Sequence, residues 1–159
     1  MTTNDFALRR EDDSELIAAK IARGTRRLMN AMGYSSVCEL TLPNGRRADI
    51  AALSAMGRIV IVEIKSSAAD FRADHKWRDY YDYCDQLFFA LAPDGPIDLI
   101  PQETGLIISD SYSAEFMREA PAREIAPARR RAVLLAFARH AADRLHMLQD
   151  PQAQTRLIR

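Results

Sequence analysis

The sequence predicts a mixed α/β sandwich: a central sheet of about five strands, in the order α-βββ-α-β with a further strand and a C-terminal helix, and helices on both of its sides. Three observations carry this. The strand-like segments "VCELTL", "ADIAALSA" and "RIVIVEIK" follow one another with only turn signals between them, so they read as an antiparallel meander. A segment with helical spacing separates them from another strand, "DQLFFALAP". A long amphipathic segment closes the chain.

Residues 1–12 are polar and mixed in charge and are expected to form a flexible arm, which leaves 13–159 as a single domain. The first helix is expected to start at an N-cap, Asp13 or Ser14, and to end at Gly33. Within it Ile17, Ile21, Leu28 and Met32 recur at helical spacing, and Gly24 on the same stripe suits close approach to a sheet. Lys20, Arg23, Arg26 and Arg27 fall mostly on other faces and read as a solvated surface. "PNG" turns the first strand into the second, and Met56-Gly57 turns the second into the third. "DFRADHKWRDYYDYC" has helix-like spacing, with Trp77, Tyr80, Tyr81 and Cys84 as its inward set. "PDGP" stops the fourth strand, and "ETGLIISD" is the fifth. The C-terminal helix is expected over about 127–149, with Pro127 near its start and Pro151 just past its end. Val133, Leu134, Phe137, Ala141, Leu145 and Leu148 form its apolar face.

Composition narrows the function classes. The chain has 159 residues, enough for one domain with a real core, and is 48% hydrophobic and 28% charged. Its 22 basic and 22 acidic residues cancel, so any attraction to nucleic acid has to come from a local basic patch. Cys38 and Cys84 have no metal-like spacing and read as free thiols of a reducing cytoplasm. No apolar stretch approaches a membrane span, and the N-terminus does not look like a signal peptide. A cytoplasmic location is expected.

The chemistry is concentrated in "RRADIAALSAMGRIVIVEIKSS". Side chains two apart on a strand share a face, so Glu63 and Lys65 project together from an otherwise apolar strand. Asp49 lies in the apolar strand before it, joined by a short turn, and can sit beside Glu63. Two buried carboxylates repel, and each unpaired buried charge costs several kcal/mol. A divalent cation resolves both problems, and one or two carboxylates with waters suit Mg²⁺, or Mn²⁺. The bland alternative is a solvated Glu-x-Lys ion pair at a strand end. The apolar strand, the neighbouring aspartate and the flanking helices together favour the metal site.

The run "ADIAAL…IVIVEIK" after a helix and a strand resembles the PD-(D/E)xK nuclease superfamily, with Asp49, Glu63 and Lys65 matching its motif residues one by one. Ala48 stands where that motif has its proline. More closely, "RRADI", "VEIKSS" and "DFRADHKWRDYYDYCDQLFFA" resemble the small bacterial MmcB-like DNA repair proteins over most of residues 13–110. The resemblance implies a restriction-endonuclease-like fold and a role in DNA repair. It implies nuclease activity less directly, because many superfamily members have lost it.

Other residues carry weaker signals. Glu39 on the first strand is either a further metal ligand or an exposed strand residue. Glu15 opens the first helix, where the resemblance allows a metal-reaching carboxylate and the helix dipole alone explains an acid. Arg72 and Lys76, with Asp70, Asp74 and His75, follow the third strand at the lip of the site, and the two cations are candidate nucleic-acid contacts. Tyr80 is a candidate partner of Lys65 or of a substrate phosphate, whereas Trp77 and Tyr81 read as core. His140, His146 and the run Arg129 to Arg131 read as surface.

The sequence therefore points to a metal-dependent phosphodiesterase acting on DNA. Asp49 and Glu63 would hold Mg²⁺ or Mn²⁺, Lys65 would position the attacking water, and DNA and other repair proteins would be the partners. The alternative from another class is an inactive DNA- or partner-binding module with the same fold. A third is a structural domain with an accidental ion pair. The sequence sets neither the DNA form nor the oligomeric state.

Overall fold

The computed structural model describes residues 3–152, with side chains from Asp13 onward. Helix α1 (Thr3–Ala31) is followed by strands β1 (Tyr34–Thr41), β2 (Arg47–Ser54) and β3 (Ile59–Ile64). A short helix α2 (Ala68–Ala73) and a 3₁₀ segment (Trp77–Asp82) lead to β4 (Gln86–Leu91). Strands β5 (Gly105–Ser109) and β6 (Ala114–Arg118) and helix α3 (Pro127–Gln149) complete the chain.

The six strands lie in chain order in one sheet. β1, β2 and β3 are antiparallel, as their short turns require. β3, β4 and β5 run parallel, because long connections separate them, and β6 returns antiparallel. About five strands were expected; the sixth, β6, has five residues and alternates half-buried Ala114, Phe116 and Arg118 with exposed Glu115 and Met117.

Alternation along the strands makes two cores. Ile50, Ala52, Val60, Val62, Phe88 and Ala90 face α1 with Ile21 and Met29. Ala51, Ile61, Leu87 and Phe89 point to the other face, where Trp77, Tyr80 and Val133 of α3 cover them. The sheet is thus buried on both sides, and its middle strands read as continuous apolar runs. Gly24 sits where α1 crosses the β5–β6 turn. A Cβ there would lie 2.3 Å from the Asp110 carbonyl oxygen and 2.6 Å from that of Ser113, so only glycine permits the approach.

Several local expectations need correction. α1 begins at Thr3, so Asp13 and Ser14 lie inside the helix and not at its cap. The flexible arm expected over residues 1–12 has its backbone in α1 from Thr3, and its side chains lie outside the described residues. Gly33 does terminate α1, with φ +83° and its N–H on the Asn30 carbonyl. The helix expected over "DFRADHKWRDYYDYC" is broken: Asp74 turns extended, and its side chain takes the Lys76 N–H, a local bond that competes with helix. In α3 Val133 is buried and Leu134 and Phe137 partly so, but Leu145 and Leu148 are exposed because the helix runs past the sheet. Arg130 and His140 are not simply surface residues. Arg130 grips Asp85 at 2.6 Å and the Gly57 carbonyl, and His140 Nε2 lies 2.8 Å from the Cys38 carbonyl oxygen.

Candidate active site

The site is made by a fork in the sheet. β2 and β3 pair as far as Ile50 and Val62 and then part. β2 stays with β1 through Ala48 and Arg47, while β3 stays with β4 through Glu63 and Ile64. Two carboxylates fill the gap. Glu63 Oε1 accepts from the Asp49 N–H at 3.2 Å, and Asp49 Oδ2 accepts from the Ile64 N–H at 2.7 Å. The side chains thus satisfy backbone donors that the ladder no longer pairs.

Burial sets the electrostatics. Glu63 is only 4% exposed, and burial together with the Asp49 charge pushes its carboxyl up to about 8. Burial also raises the Asp49 carboxyl, against the pull of the Ile64 N–H and the Lys65 charge. Lys65 shares this environment at 6% exposure, but its ammonium does not pair with Glu63. It donates to Asp74 Oδ2 at 2.7 Å. Burial alone would lower the lysine, and the Asp74 hydrogen bond and charge outweigh it, holding it above its ordinary range. Asp74 is held below its ordinary value in return, because Lys65 and the Lys76 N–H outweigh its burial.

Tyr80 lies behind the carboxylates, buried, with its hydroxyl donating to the Arg47 carbonyl at 2.9 Å. Its phenol is raised by burial and then by the Glu63 and Asp49 charges. It does not hydrogen-bond Lys65, the partner the sequence analysis offered for it. Glu39 lies opposite Asp49 in the one unpaired step of the β1–β2 register and has φ +57°, the left-handed region that a non-glycine residue seldom occupies. Its carboxylate is 3.3 Å from Arg144 and 3.9 Å from Arg47.

The fork opens into a cleft of about 1400 Å³ between α1 and the sheet. Asp49, Glu63, Lys65, Glu39 and Glu15 all line it, while Arg72 and Lys76 are exposed and lie outside its lining. The cations that do line it are Arg23, Arg26, Arg27 and Arg47, besides Lys65. The α1 arginines, expected on a solvated face, line the cleft instead. The available signal was their spacing: Arg23, Arg26, Arg27 and Asn30 follow i, i+3, i+4, i+7 and so share one helix face. Asp74, the partner of Lys65, was placed only at the lip.

A family model described as DNA repair protein MmcB-like matches residues 5–152. The chain belongs to the MmcB-like family. A solved structure of a protein of unknown function from Silicibacter pomeroyi is 42% identical, with a TM-score of 0.85, over 89% of this chain and 97% of that one. No curated protein matches. The fold expected from the resemblance, a mixed sheet flanked by helices and closed by a C-terminal helix, is the fold observed. Among the described residues no helix is long and apolar enough to cross a membrane.

Among the described residues no three His, Cys, Asp or Glu side chains gather to hold an ion, so a cation at the fork would draw only Asp49 and Glu63 from the chain. Two adjacent carboxylates, each raised by burial, fit a hard divalent cation that draws its other ligands from water and substrate.

Proposed function

We propose that this MmcB-like protein is a metal-dependent phosphodiesterase that acts on DNA in repair. The observation that carries the reading is the fork, where Asp49 and Glu63 are brought together at the floor of an open cleft against their mutual repulsion. Asp49 and Glu63 would hold Mg²⁺ or Mn²⁺. Such an ion, when bound, supplies charge stabilisation for a phosphodiester and acidifies water. The chain's own contribution is positional. The Asp49 and Ile64 N–H groups fix the two carboxylates. Asp74 keeps Lys65 protonated, so Lys65 acts as a hydrogen-bond donor that orients water or a phosphate oxygen rather than as a base.

The test is incubation of the purified protein with labelled single-stranded, duplex, branched and damaged DNA, in Mg²⁺, Mn²⁺ or chelator. Cleavage in metal and none in chelator is expected, with at least about a hundredfold loss in Lys65→Ala. Failure of the wild type to cut any of these in either metal would refute the reading. One observation favours the binding-module alternative: the Glu39 carboxylate, a third potential ligand, is engaged by Arg144 and Arg47.

A further inference from the structure

We infer that the arginine row of α1 is a track for the phosphates of a single nucleic-acid strand, leading it to the fork. The inference rests on the DNA-acting reading and adds the form of the ligand and the residues that grip it. Arg23, Arg26 and Arg27 line the cleft, Arg26 reaching to β1 and Arg27 to the β5–β6 turn at the opposite edge of the sheet, and the chain as a whole is neutral, so this is local cationic charge and not a by-product of net charge.

The row runs toward the carboxylates. Ser14 Oγ lies 2.8 Å from Ser66 Oγ, so the Ser14 end of this stretch of α1 sits beside the end of β3. Farther along, Arg26 Nε and Nη2 donate to Ser36 Oγ at 3.1 Å and to the Ser36 carbonyl at 3.2 Å. Ser36 pairs with Ala52, three residues along β2 from Asp49. At about 3.4 Å per residue, the Arg26 anchor is about 10 Å from the fork. That is on the order of two to three nucleotides along one strand.

The width selects a single strand. One arginine side chain spans the gap between α1 and β1 at Ser36, whereas a duplex is at least about 16 Å thick, the sum of its two groove depths. Arg26 still has unused guanidinium donors, and Arg27 is held by the Tyr112 carbonyl with donors to spare. Arg23 is exposed and has no side-chain partner among the described residues. Tyr34, half-buried, lines the same cleft and supplies a ring on which a base can stack.

The experiment measures binding apart from cleavage. The affinity of the full chain for a labelled single-stranded oligonucleotide and for its duplex is followed by fluorescence anisotropy in chelator, over a range of salt. The variants are Arg23→Gln, Arg27→Gln and Arg26→Lys, with Arg72→Gln and Lys76→Gln for comparison. Single strand should bind more tightly than duplex. Arg23→Gln, which breaks no contact within the described protein, and Arg27→Gln should each lower the salt slope by about 0.7. Arg26→Lys, which keeps the charge, should hold the slope. Equal slopes in wild type, Arg23→Gln and Arg27→Gln would overturn the inference, as would tighter duplex binding or no binding at all. A protein that binds through these arginines but never cuts refutes only the nuclease reading. One that cuts with binding indifferent to them refutes only this inference.

Discussion

Asp49 and Glu63 each hold the backbone where the other's strand departs: Glu63 takes the Asp49 N–H, and Asp49 takes the Ile64 N–H. The fold therefore uses its two site carboxyl groups as the last rungs between β2 and β3, and sets two acids side by side where the sheet opens.

Ionising Glu63 beside Asp49 destabilises the protein as pH rises when no cation is bound. Glu63 keeps its proton up to about pH 8, whereas in the unfolded chain it loses it near its ordinary value. Between about pH 5 and 8 the folded state binds more protons, so stability falls as pH rises. Glu63→Gln keeps the acceptor for Asp49 and removes the charge. In chelator it should raise the melting temperature at pH 8 and change it little at pH 5, as thermal unfolding at the two pH values will show.

The Lys65–Asp74 pair predicts an asymmetry. Lys65 is the more buried partner, so Asp74→Ala strands a buried ammonium, while Lys65→Met leaves only a partly exposed carboxylate. Urea denaturation should show Asp74→Ala losing about 1–3 kcal/mol and Lys65→Met losing less. Asp74 is held below its ordinary value, so the pair's contribution is complete at neutral pH and is lost only below about pH 4. Equal losses would mean that Lys65 is better solvated than its burial implies.

Gly24→Ala should destabilise, although alanine is the better helix former. Its methyl would meet Asp110, Ser109 and Ser113, and α1 would have to lift from the β5–β6 turn. Overpacking of this kind costs about 1–3 kcal/mol, more than the gain in propensity. A melting temperature at or above wild type would show that α1 shifts freely on the sheet.

Much of this was legible in the sequence because it depends on neighbours along the chain. The meander of β1 to β3 follows from its turn residues, and the shared position of Asp49 and Glu63 follows from that meander. What was not legible depends on tertiary placement. The helical period of Arg23, Arg26 and Arg27 is plain, but an arginine stripe reads as solvated until α1 is seen crossing the open end of the sheet. Asp74 becomes the partner of Lys65 only because α2 stops after Ala73. The left-handed Glu39 has no sequence signature at all, since neither its type nor its neighbours differ from those of an ordinary strand. β6 escaped because five residues of weak alternation resemble a loop.

Whether the fork holds a divalent cation can be read from isothermal calorimetry of Mn²⁺ binding to the wild type, Asp49→Asn and Glu63→Gln. One binding event is expected in the wild type, lost in both variants while they remain folded. Unchanged Mn²⁺ binding in either folded variant would contradict a cation site at the fork.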